Sequence, residues 1–568
     1  MRGSRSARAP LPGPGVLPGG GLRAAAGRHG RARGRSHAGS GRAGARARGA
    51  SARCLRHEQA RAPRGEPRAH GRRARRRRGS RLGDVADARD ARRDRGVRGA
   101  DDRRAEPAVS EQPVAVRLAE EVAAIARDDL PAPVLERALD LLRDYLGVAL
   151  GGAAEESTVA LRNGLATLHA GGRATVLGAA DRLSAPHAAL ANGAAAHALE
   201  MDDTHQGGSI HLGATVFSAA LAAAELADAR GDTVLRAAVG GYEVAARLAM
   251  ALRPAAHYGR GFHPTGTCGV FGAAAATALV FGLDRDGIAA ALGIAGSQAA
   301  GSMEFLANGA WTKRLHPGWA ALAGLHAAAL ARAGFRAPAT IIEGRSGFLH
   351  AYTDGADAAL LRPSGGYELL RTSIKPHACC RYMQGPIDAA LALRAAHRLD
   401  PSNVARIEIG MLAAGHPIVC EPVEAKRRPR SVVDAQFSLP FGVAVALVCG
   451  SASPSEFTGG WLTEPAVLEL ADRVTAVRDA RLDAVFPRQW PSWVRVILRD
   501  GTVRESAVAH PRGDPENFPA RAELDAKFET LARRALPVDR VAALASAIGG
   551  FSDASSVAPL LAAAALPR

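Results

Sequence analysis

A long helical periodicity constrains this chain more than any other feature of its sequence. From Val114 to about Arg371 the chain is rich in Ala and Leu, and apolar residues recur at helical spacing. In residues 134–152 the apolar face of the predicted helix contains Leu135, Leu139, Leu142 and Leu146. Small Ala side chains let neighbouring helices approach closely. The sequence therefore predicts a large, tightly packed helical domain over residues 111–371.

Past Arg371 the pattern becomes that of a smaller α+β unit. β-branched residues alternate in residues 404–411, and Asp500 with Gly501 forms a hairpin signal between two strand-like stretches. Helical spacing returns in residues 520–536 and 538–548. The predicted fold is mainly α with an α+β insertion. We expect a helical domain built from residues 111–371 and 513–568, and a smaller α+β lid domain over residues 372–512.

The positive charge of the chain is confined to its first part. The net charge is +18, but residues 1–110 hold 30 Arg, no Lys and nine acidic residues, a net of +21, which leaves −3 for the remainder. The charge therefore gives no reason to expect nucleic-acid binding by the folded body. Residues 1–110 lack a hydrophobic period and cannot offset the entropy of ordering, so we expect a disordered basic tail or a stretch outside the natural product. A nucleic-acid or membrane arm and a targeting segment are the alternatives.

Several classes of protein are disfavoured by the absence of their motifs. The six cysteines show no CxxC pair and no zinc-type spacing, which predicts a reduced, cytoplasmic protein. The uncharged stretch from Pro264 to Leu283 is rich in Ala, Gly and Thr, and we interpret it as a buried helix instead of a membrane span. The sequence GRGFHPTG lacks the spacing of a nucleotide-binding loop. We expect no cofactor and no membrane partner.

Two segments supply histidines and acids. The first, HALEMDDTHQGGSIHLGA, places six titratable residues within fifteen positions: His197, Glu200, Asp202, Asp203, His205 and His211. Such groups are expensive to bury unless they pair or perform chemistry. In the second, GRGFHPTGTCG, the proline after His263 favours an extended residue before a helix whose N–H groups can face an anion. A solvated loop and a structural histidine are the alternative interpretations.

Two further segments supply cations. The segment GSMEFLANGAWTKRLHPGWAALAG places Lys313, Arg314 and His316 before a second His-Pro helix start, and SIKPHACCRYMQGPIDAAL contains Lys375, His377 and Arg381. The chain has only four lysines, at 313, 375, 426 and 527, among 73 basic residues. Two of them lie in these segments, which indicates that a compact ammonium group has a function there. Together the four segments offer what proton abstraction beside a carboxylate requires.

The stretches FHPTGT, WTKRLHPGWAA, KPHACCRY and AQFSLPF resemble the signature sequences of the MmgE/PrpD family. This family contains 2-methylcitrate dehydratase and is similar to cis-aconitate decarboxylase. The resemblance runs from about Val114 to the C-terminus. It implies a helical domain with an α+β lid, a site between them, a homodimer, and no metal or iron–sulfur cluster.

Residue by residue, the resemblance implies a catalytic set of Glu200, His211, His263, Lys313 and Lys375. We add a substrate-binding set of Asp203, His316, Arg381 and Phe441. Two positions depart from the family pattern. Related sequences have Asp where this chain has Glu200, and a phenol is expected where it has Phe441, which carries no hydroxyl.

The predicted function is that of a hydro-lyase that dehydrates a 2-methylcitrate-like small polycarboxylate, as in propionate catabolism. Lys313 and Lys375, helped by Arg381, would neutralise substrate carboxylates, and His211, Glu200 and His263 would move protons. Decarboxylation of a cis-aconitate-like acid and epimerisation of a dicarboxylate are alternatives on the same fold. A noncatalytic binder with a nucleic-acid-binding tail is an alternative of another class. A metal-dependent hydratase, with His205 and His211 converging from a loop, is a further alternative.

Overall fold

The computed structural model describes residues 112–168, 170–363 and 365–567. The basic segment 1–110 and the disorder predicted for it lie outside these residues. Within them the fold is mainly α with small sheets, which confirms the predicted fold class. No helix in the described ranges is long and apolar enough to cross a membrane.

The first part of the chain is helical. Its helices are α1 (Val114–Arg127), α2 (Ala132–Gly152), α3 (Glu156–Thr167), α4 (Ala185–Ala196), α5 (Gly213–Ala227), α6 (Gly231–Ala251), α7 (Pro254–Gly259), α8 (Pro264–Thr267), α9 (Gly269–Val280), α10 (Arg285–Gly296), α11 (Thr312–Arg332) and α12 (Phe348–Tyr352). Two short antiparallel pairs accompany them: β1 (Gly171–Thr175) with β2 (Arg182–Leu183), and β3 (Thr204–His205) with β4 (Thr372–Ser373).

Helix α9 forms the centre of this helical part. All of its residues are buried, and it packs against α5, α6 and α11. Close approach depends on glycine, since a Cβ atom on Gly272 would lie 2.6 Å from the carbonyl oxygen of Gly241 on α6. The uncharged stretch from Pro264 to Leu283 therefore supplies a buried helix, as predicted.

The second part of the chain has mixed secondary structure. Its helices are α13 (Gln384–His397), α14 (His416–Val419), α15 (Val423–Arg427), α16 (Val432–Gln436), α17 (Leu439–Cys449), α18 (Pro465–Asp472) and α19 (Ala480–Asp483). Its strands are β5 (Val404–Met411), β6 (Val474–Arg478), β7 (Ser492–Leu498) and β8 (Val503–Val508). They form one sheet of order β6-β5-β7-β8, in which β6 runs parallel to β5 and the other pairs are antiparallel.

The predicted hairpin joins β7 to β8. Gly501 adopts a left-handed φ of 85° in its turn, which suits a residue without a Cβ atom. Along β7 the side chains of Ser492, Val494 and Val496 are buried while their neighbours are half-buried, so one face of the sheet is covered. Helix α13 packs against β7 and β8.

The chain then returns to the helical part through α20 (Arg521–Ala532), α21 (Val538–Gly549) and α22 (Ala558–Ala563). Helix α20 packs along α2, and Asp525 forms an ion pair with Arg143 at 2.7 Å. This contact explains why α2 is buried on every side after Leu141, although the predicted face was a single leucine stripe. Leu135 and Leu139 of that stripe are only half-buried.

The second predicted His-Pro helix start was placed too late. Helix α11 begins at Thr312, so Lys313 lies in its first turn and Pro317 lies inside the helix. Pro317 is tolerated because it removes only the bond that its nitrogen would donate to the carbonyl of Lys313. At the first His-Pro sequence the prediction is confirmed, because His263 is extended (φ −103°, ψ 114°) and caps α8.

Candidate active site

A partly open cavity lies where residues of the helical part meet residues of the mixed part. Its polar lining consists of Glu200, Thr204, Ser209, His211, Tyr258, His263, Lys313, Cys380, Arg381 and Tyr382. Its apolar lining consists of Met303, Phe305, Ile418, Phe437 and Trp490. Four of the five predicted catalytic residues therefore face one cavity, and the fifth, Lys375, contacts one of them.

Glu200 joins the two rare lysines. Its carboxylate accepts a hydrogen bond from Lys313 and lies 3.6 Å from the Nζ atom of Lys375. Burial alone would raise the pKa of Glu200, but the two ammonium groups outweigh it and lower that pKa to about 2. Glu200 also adopts a left-handed φ of 56°, a strained conformation for a residue with a side chain. The ion pairs hold it there as a carboxylate.

Asp202 continues this network on the other side of Lys375. Its Oδ1 atom lies 3.4 Å from the Nζ atom of Lys375, and its Oδ2 atom lies 2.6 Å from Nδ1 of His197. Burial would raise the pKa of Asp202, yet His197, His211 and Lys375 outweigh it and hold the pKa well below its ordinary value. Lys375 is almost completely buried, and its pKa is raised because the two carboxylates outweigh the effect of burial. The two ammonium groups are thus balanced by two carboxylates.

His211 is oriented by the backbone. Its Nδ1 atom lies 2.8 Å from the carbonyl oxygen of Asp203 and 3.2 Å from the hydroxyl of Thr204. A carbonyl oxygen only accepts, so Nδ1 carries the hydrogen and Nε2 keeps its lone pair. Burial lowers the pKa of His211 well below its ordinary value, and the charge of Lys375 contributes to the same effect. His211 is therefore a neutral imidazole prepared to accept a proton.

His263 is linked to a second imidazole. Its Nδ1 atom lies 3.0 Å from Nδ1 of His316, so one ring donates and the other accepts. Burial, the neighbouring His316 and the charge of Lys313 lower the pKa of His263 well below its ordinary value. Burial lowers the pKa of His316 to about 4. A proton shared between these rings can be delivered to, or taken from, the cavity.

Comparison with known proteins identifies the family of this chain. Residues 116–361 match the MmgE/PrpD N-terminal domain, and residues 377–548 match the MmgE/PrpD C-terminal domain. The chain belongs to the MmgE/PrpD family. The two matched domains divide the chain close to where its sequence pattern changes.

Relatives of this MmgE/PrpD protein are lyases. A cis-aconitate decarboxylase of Aspergillus terreus is 29% identical over 459 residues, which cover 77% of this chain and 93% of that protein. A cis-aconitate decarboxylase-like protein of Aspergillus oryzae is 28% identical, with 79% and 96% covered. The cis-aconitate decarboxylase of Mus musculus is 27% identical, with 74% and 87% covered. The MmgE/PrpD protein described here is accordingly a lyase.

The structure places some predicted residues of this MmgE/PrpD site away from the cavity lining. Asp203 accepts hydrogen bonds from the backbone N–H of Gly213 at 2.9 Å and from the hydroxyl of Tyr242 at 2.6 Å, which fixes the start of α5. Phe441 is fully buried, with its ring centroid 6.0 Å from that of Phe457. Neither side chain lines the cavity. Asp203 therefore has a structural role at the start of α5, and Phe441 belongs to the hydrophobic core.

Two histidines named in the four segments have other partners. The Nε2 atom of His205 lies 3.1 Å from Glu368, and that of His377 lies 2.8 Å from Asp388. Arg381 does line the cavity, but it is also paired with Asp514 and lies 5.2 Å from the centre of the Trp490 ring. Of the predicted substrate-binding set, Arg381 lines the cavity. His316 is connected to the cavity by its hydrogen bond to His263.

Other residues of the site were not predicted. Ser209, Tyr258 and Tyr382 line the cavity. Asp202 and His197, which the first segment named without assigning a role, are joined by a hydrogen bond. Tyr382 follows Arg381 directly in the KPHACCRY stretch, so that motif held a signal for it. Tyr258 stands outside the four segments and is brought in by the fold alone.

Three imidazoles approach one another closely enough to raise the question of a metal. One ring atom each of His197, His211 and His263 lies within 4.8 Å of the others. The sequence did not anticipate this group, because it favoured His205 with His211. His197 and His211 are held through Nδ1 by a carboxylate and a carbonyl, as metal-binding histidines also are. The adjacent ammonium groups oppose a further cation, so the arrangement favours proton transfer. The expected absence of a metal stays a prediction.

Proposed function

We propose that the cavity is the active site of a hydro-lyase that removes water from a small, 2-methylcitrate-like polycarboxylate without a cofactor. The observation that carries this proposal is the state of His211. It is neutral, its Nδ1–H is committed to the carbonyl of Asp203, and its Nε2 lone pair is free to accept a proton. A base of this kind suits the removal of a proton from carbon beside a carboxylate.

The charged groups of the cavity support the rest of the reaction. When His211 takes the proton, negative charge develops on the adjacent carboxylate of the substrate. Lys313 and Lys375 supply positive charge for it in a water-poor site, where such charge is most effective. Glu200 holds both ammonium groups in place. The carboxylate thus contributes positioning, and the lysines contribute stabilisation.

The leaving group requires an acid on the same cavity. Substrate carboxylates raise the pKa of the His263 ring, so that it carries an added proton when the ligand is bound. As the C–O bond breaks, the departing hydroxide takes this proton and leaves as water, while His263 keeps its hydrogen bond to His316. After the product leaves, His211 releases its proton to solvent and His263 regains one, so the net reaction is loss of one water molecule.

Decarboxylation of a cis-aconitate-like acid is the second candidate. It is favoured by the relatives, which carry that activity in their names and match over most of their length. The same lysines would stabilise the carbanion left by departing CO₂, and a protonated imidazole would then deliver a proton to carbon. Both routes use a charged imidazole as the acid, and only elimination also uses a neutral imidazole as the base. The lowered pKa of His211, which keeps its ring neutral, therefore favours elimination.

A substrate panel separates the two reactions. The full-length protein is incubated with 2-methylcitrate, citrate, cis-aconitate and saturated dicarboxylates. Growth of ultraviolet absorbance from a new C=C bond, without gas release, supports dehydration. Release of CO₂ from cis-aconitate supports decarboxylation. Exchange of a carbon-bound proton with deuterated water, without net product, indicates epimerisation, and no change with any acid contradicts the proposed substrate class.

A further inference from the structure

Three hydroxyl-bearing residues line the cavity together, and two of them are hydrogen-bonded to each other. Ser209 lies in the loop between β3 and α5, Tyr258 lies in α7, and Tyr382 lies in the turn that precedes α13. The Tyr258 hydroxyl donates to the backbone carbonyl of Ser209 at 3.0 Å and lies 3.0 Å from the Ser209 hydroxyl. The Ser209 side chain also lowers the pKa of Tyr382, against the larger effect of burial. The cluster, Ser209 with Tyr258 and Tyr382, spans both parts of the fold.

A count of protons shows which hydroxyl is available to a ligand. Each hydroxyl has one proton to donate. Tyr258 gives its proton to the carbonyl of Ser209, and Ser209 can give its own to the Tyr258 oxygen. Within the described residues no hydrogen bond takes the proton of Tyr382, which lines the same cavity. Its O–H can turn towards a ligand while the other two hydroxyls stay satisfied.

The position of Tyr382 is fixed by its neighbours. Its ring stacks on Trp490 with centroids 4.5 Å apart, and Arg381 lies on the same indole ring. Ser209 is held in a left-handed conformation with φ of 48°, which is unusual for a residue with a side chain. Burial raises the pKa of Tyr382 well above its ordinary value, so the phenol keeps its proton. A fixed, protonated donor of this kind suits an anionic acceptor.

The lysines leave room for such a donor. Lys313 and Lys375 contact Glu200 and Asp202, and these ion pairs do not involve the hydroxyl cluster. A polycarboxylate carries more carboxylates than two lysines, each already paired, can hold. Apart from the two histidines, the remaining polar wall consists of the hydroxyl cluster, Thr204, Cys380 and Arg381, whose guanidinium is shared with Asp514.

We propose that Tyr382, held by its stacking on Trp490 and sharing the cavity wall with Ser209 and Tyr258, is a specificity-determining hydrogen-bond donor to a substrate carboxylate that the lysines do not hold. The inference rests on the proposed function, since it takes the ligand to be a small polycarboxylate. It implies that the cluster determines how strongly the protein prefers tricarboxylates to dicarboxylates. A buried donor left without its acceptor penalises the ligand that lacks the group.

The test compares binding of three unreactive acids to the full-length protein and to Tyr382→Phe by titration calorimetry. Propane-1,2,3-tricarboxylate carries all three carboxylates, glutarate lacks the central one, and methylsuccinate lacks a terminal one. Loss of a hydrogen bond to a charged group should weaken binding of the tricarboxylate about 10- to 100-fold. The dicarboxylate that lacks the carboxylate in question should change by less than about threefold.

Tyr145→Phe is the matched control, because it removes a buried tyrosine hydroxyl that bonds to Ser218 at 2.9 Å outside the cavity. It should leave all three affinities unchanged. Ser209→Ala is the second variant and should weaken the tricarboxylate in the same direction, with little added effect in the double variant. Equal binding by wild type and Tyr382→Phe, or an equal loss for all three acids, overturns the inference alone. Absence of tricarboxylate binding to the wild type overturns the proposed function as well.

Discussion

The Nδ1 atom of His211 lies 2.8 Å from the carbonyl oxygen of Asp203, and this single contact decides the tautomer of the ring. Asp203 itself is fixed by Gly213 and Tyr242, so the carbonyl cannot easily turn away. The imidazole therefore presents a lone pair to the cavity before any substrate arrives. Such preparation lowers the reorganisation that proton transfer requires.

Replacing His211 by Asn should lower kcat about 10²- to 10⁴-fold, because a general base contributes that much and an amide does not accept a proton at neutral pH. KM should change by only a few fold, since the lysines remain. The matched control is His326→Asn, whose ring also bonds to a backbone carbonyl, at 3.0 Å, but on an exposed face. Steady-state kinetics with the accepted acid checks both variants. A fall in kcat of less than tenfold in His211→Asn would remove the ring from the role of base.

The pair of Lys313 with Glu200 should contribute to folding as well as to binding. Lys313→Met leaves the buried Glu200 with Lys375 alone, at 3.6 Å. Removing one partner of a buried pair is costly, and with one lysine remaining we expect a loss of about 2–3 kcal/mol in the free energy of unfolding. KM for a polycarboxylate should rise at least tenfold. Urea unfolding and kinetics measure the two effects.

A double-mutant cycle gives the control for that pair. Adding Glu200→Gln to Lys313→Met removes the uncompensated carboxylate, so at least about 1 kcal/mol of the lost stability should return. The high KM should persist in the double variant. If stability does not recover, the contact between the two side chains is not what holds Glu200 in its strained conformation.

Asp203 should make the protein less stable as pH rises. Burial raises the pKa of this carboxyl to about 7, above the value of about 4 expected in the unfolded chain. The folded state therefore binds more protons between these values, and its stability falls as pH rises from about 4 to 7. Asp203→Asn removes this term, because Tyr242 can accept from the new amide. The stability of the variant relative to wild type should rise by about 1 kcal/mol per pH unit between pH 5 and 7.

Urea unfolding of both proteins at several pH values checks this expectation. Glu243 is the residue to compare with Asp203. Burial also raises the pKa of Glu243 to about 7, but Arg247 holds its carboxylate. Catalysis should survive Asp203→Asn within about tenfold, since the side chain does not line the cavity. A pH-independent difference between variant and wild type would show that Asp203 stays ionised in the folded protein.

The sequence predicted residues of the site from their chemical groups. It missed residues that only the tertiary fold brings to the cavity. Glu200, His211, His263 and Lys313 stand out because charged and imidazole groups are rare against an Ala-rich background. Tyr258 does not stand out, because a tyrosine in a short helix is ordinary until the fold turns it towards Ser209.

The errors in placement have a similar cause. Asp203 was assigned to the substrate because it lies among other acids, yet its carboxylate caps α5 and bonds to Tyr242 on α6, 39 positions later in the chain. The helix start at Thr312 was missed because a proline usually begins a helix, whereas Pro317 lies one turn inside. Local rules describe strands and most helices well. They do not describe which polar group meets which across the fold.

Substrate binding should be accompanied by proton uptake. The two lysines are balanced by Glu200 and Asp202, so the cavity gains net negative charge when a polycarboxylate enters. Nearby negative charge raises the pKa of an imidazole, and the His263 ring, which serves as the acid, starts from a value well below the ordinary one. We expect about 0.5–1 proton to be taken up per ligand at pH 7, and affinity to increase as pH falls from 8 to 6.

Calorimetry in two buffers of different ionisation enthalpy, at the same pH, measures this number directly. Propane-1,2,3-tricarboxylate is a suitable ligand because it binds without reacting. His263→Asn should reduce the uptake, since it removes one ring of the bonded pair with His316 and leaves His211 in place. His326→Asn, on the exposed face, should leave it unchanged. An observed enthalpy that does not depend on the buffer would show that the imidazoles keep their charge state when the anion binds, and proton delivery would then have to begin from solvent.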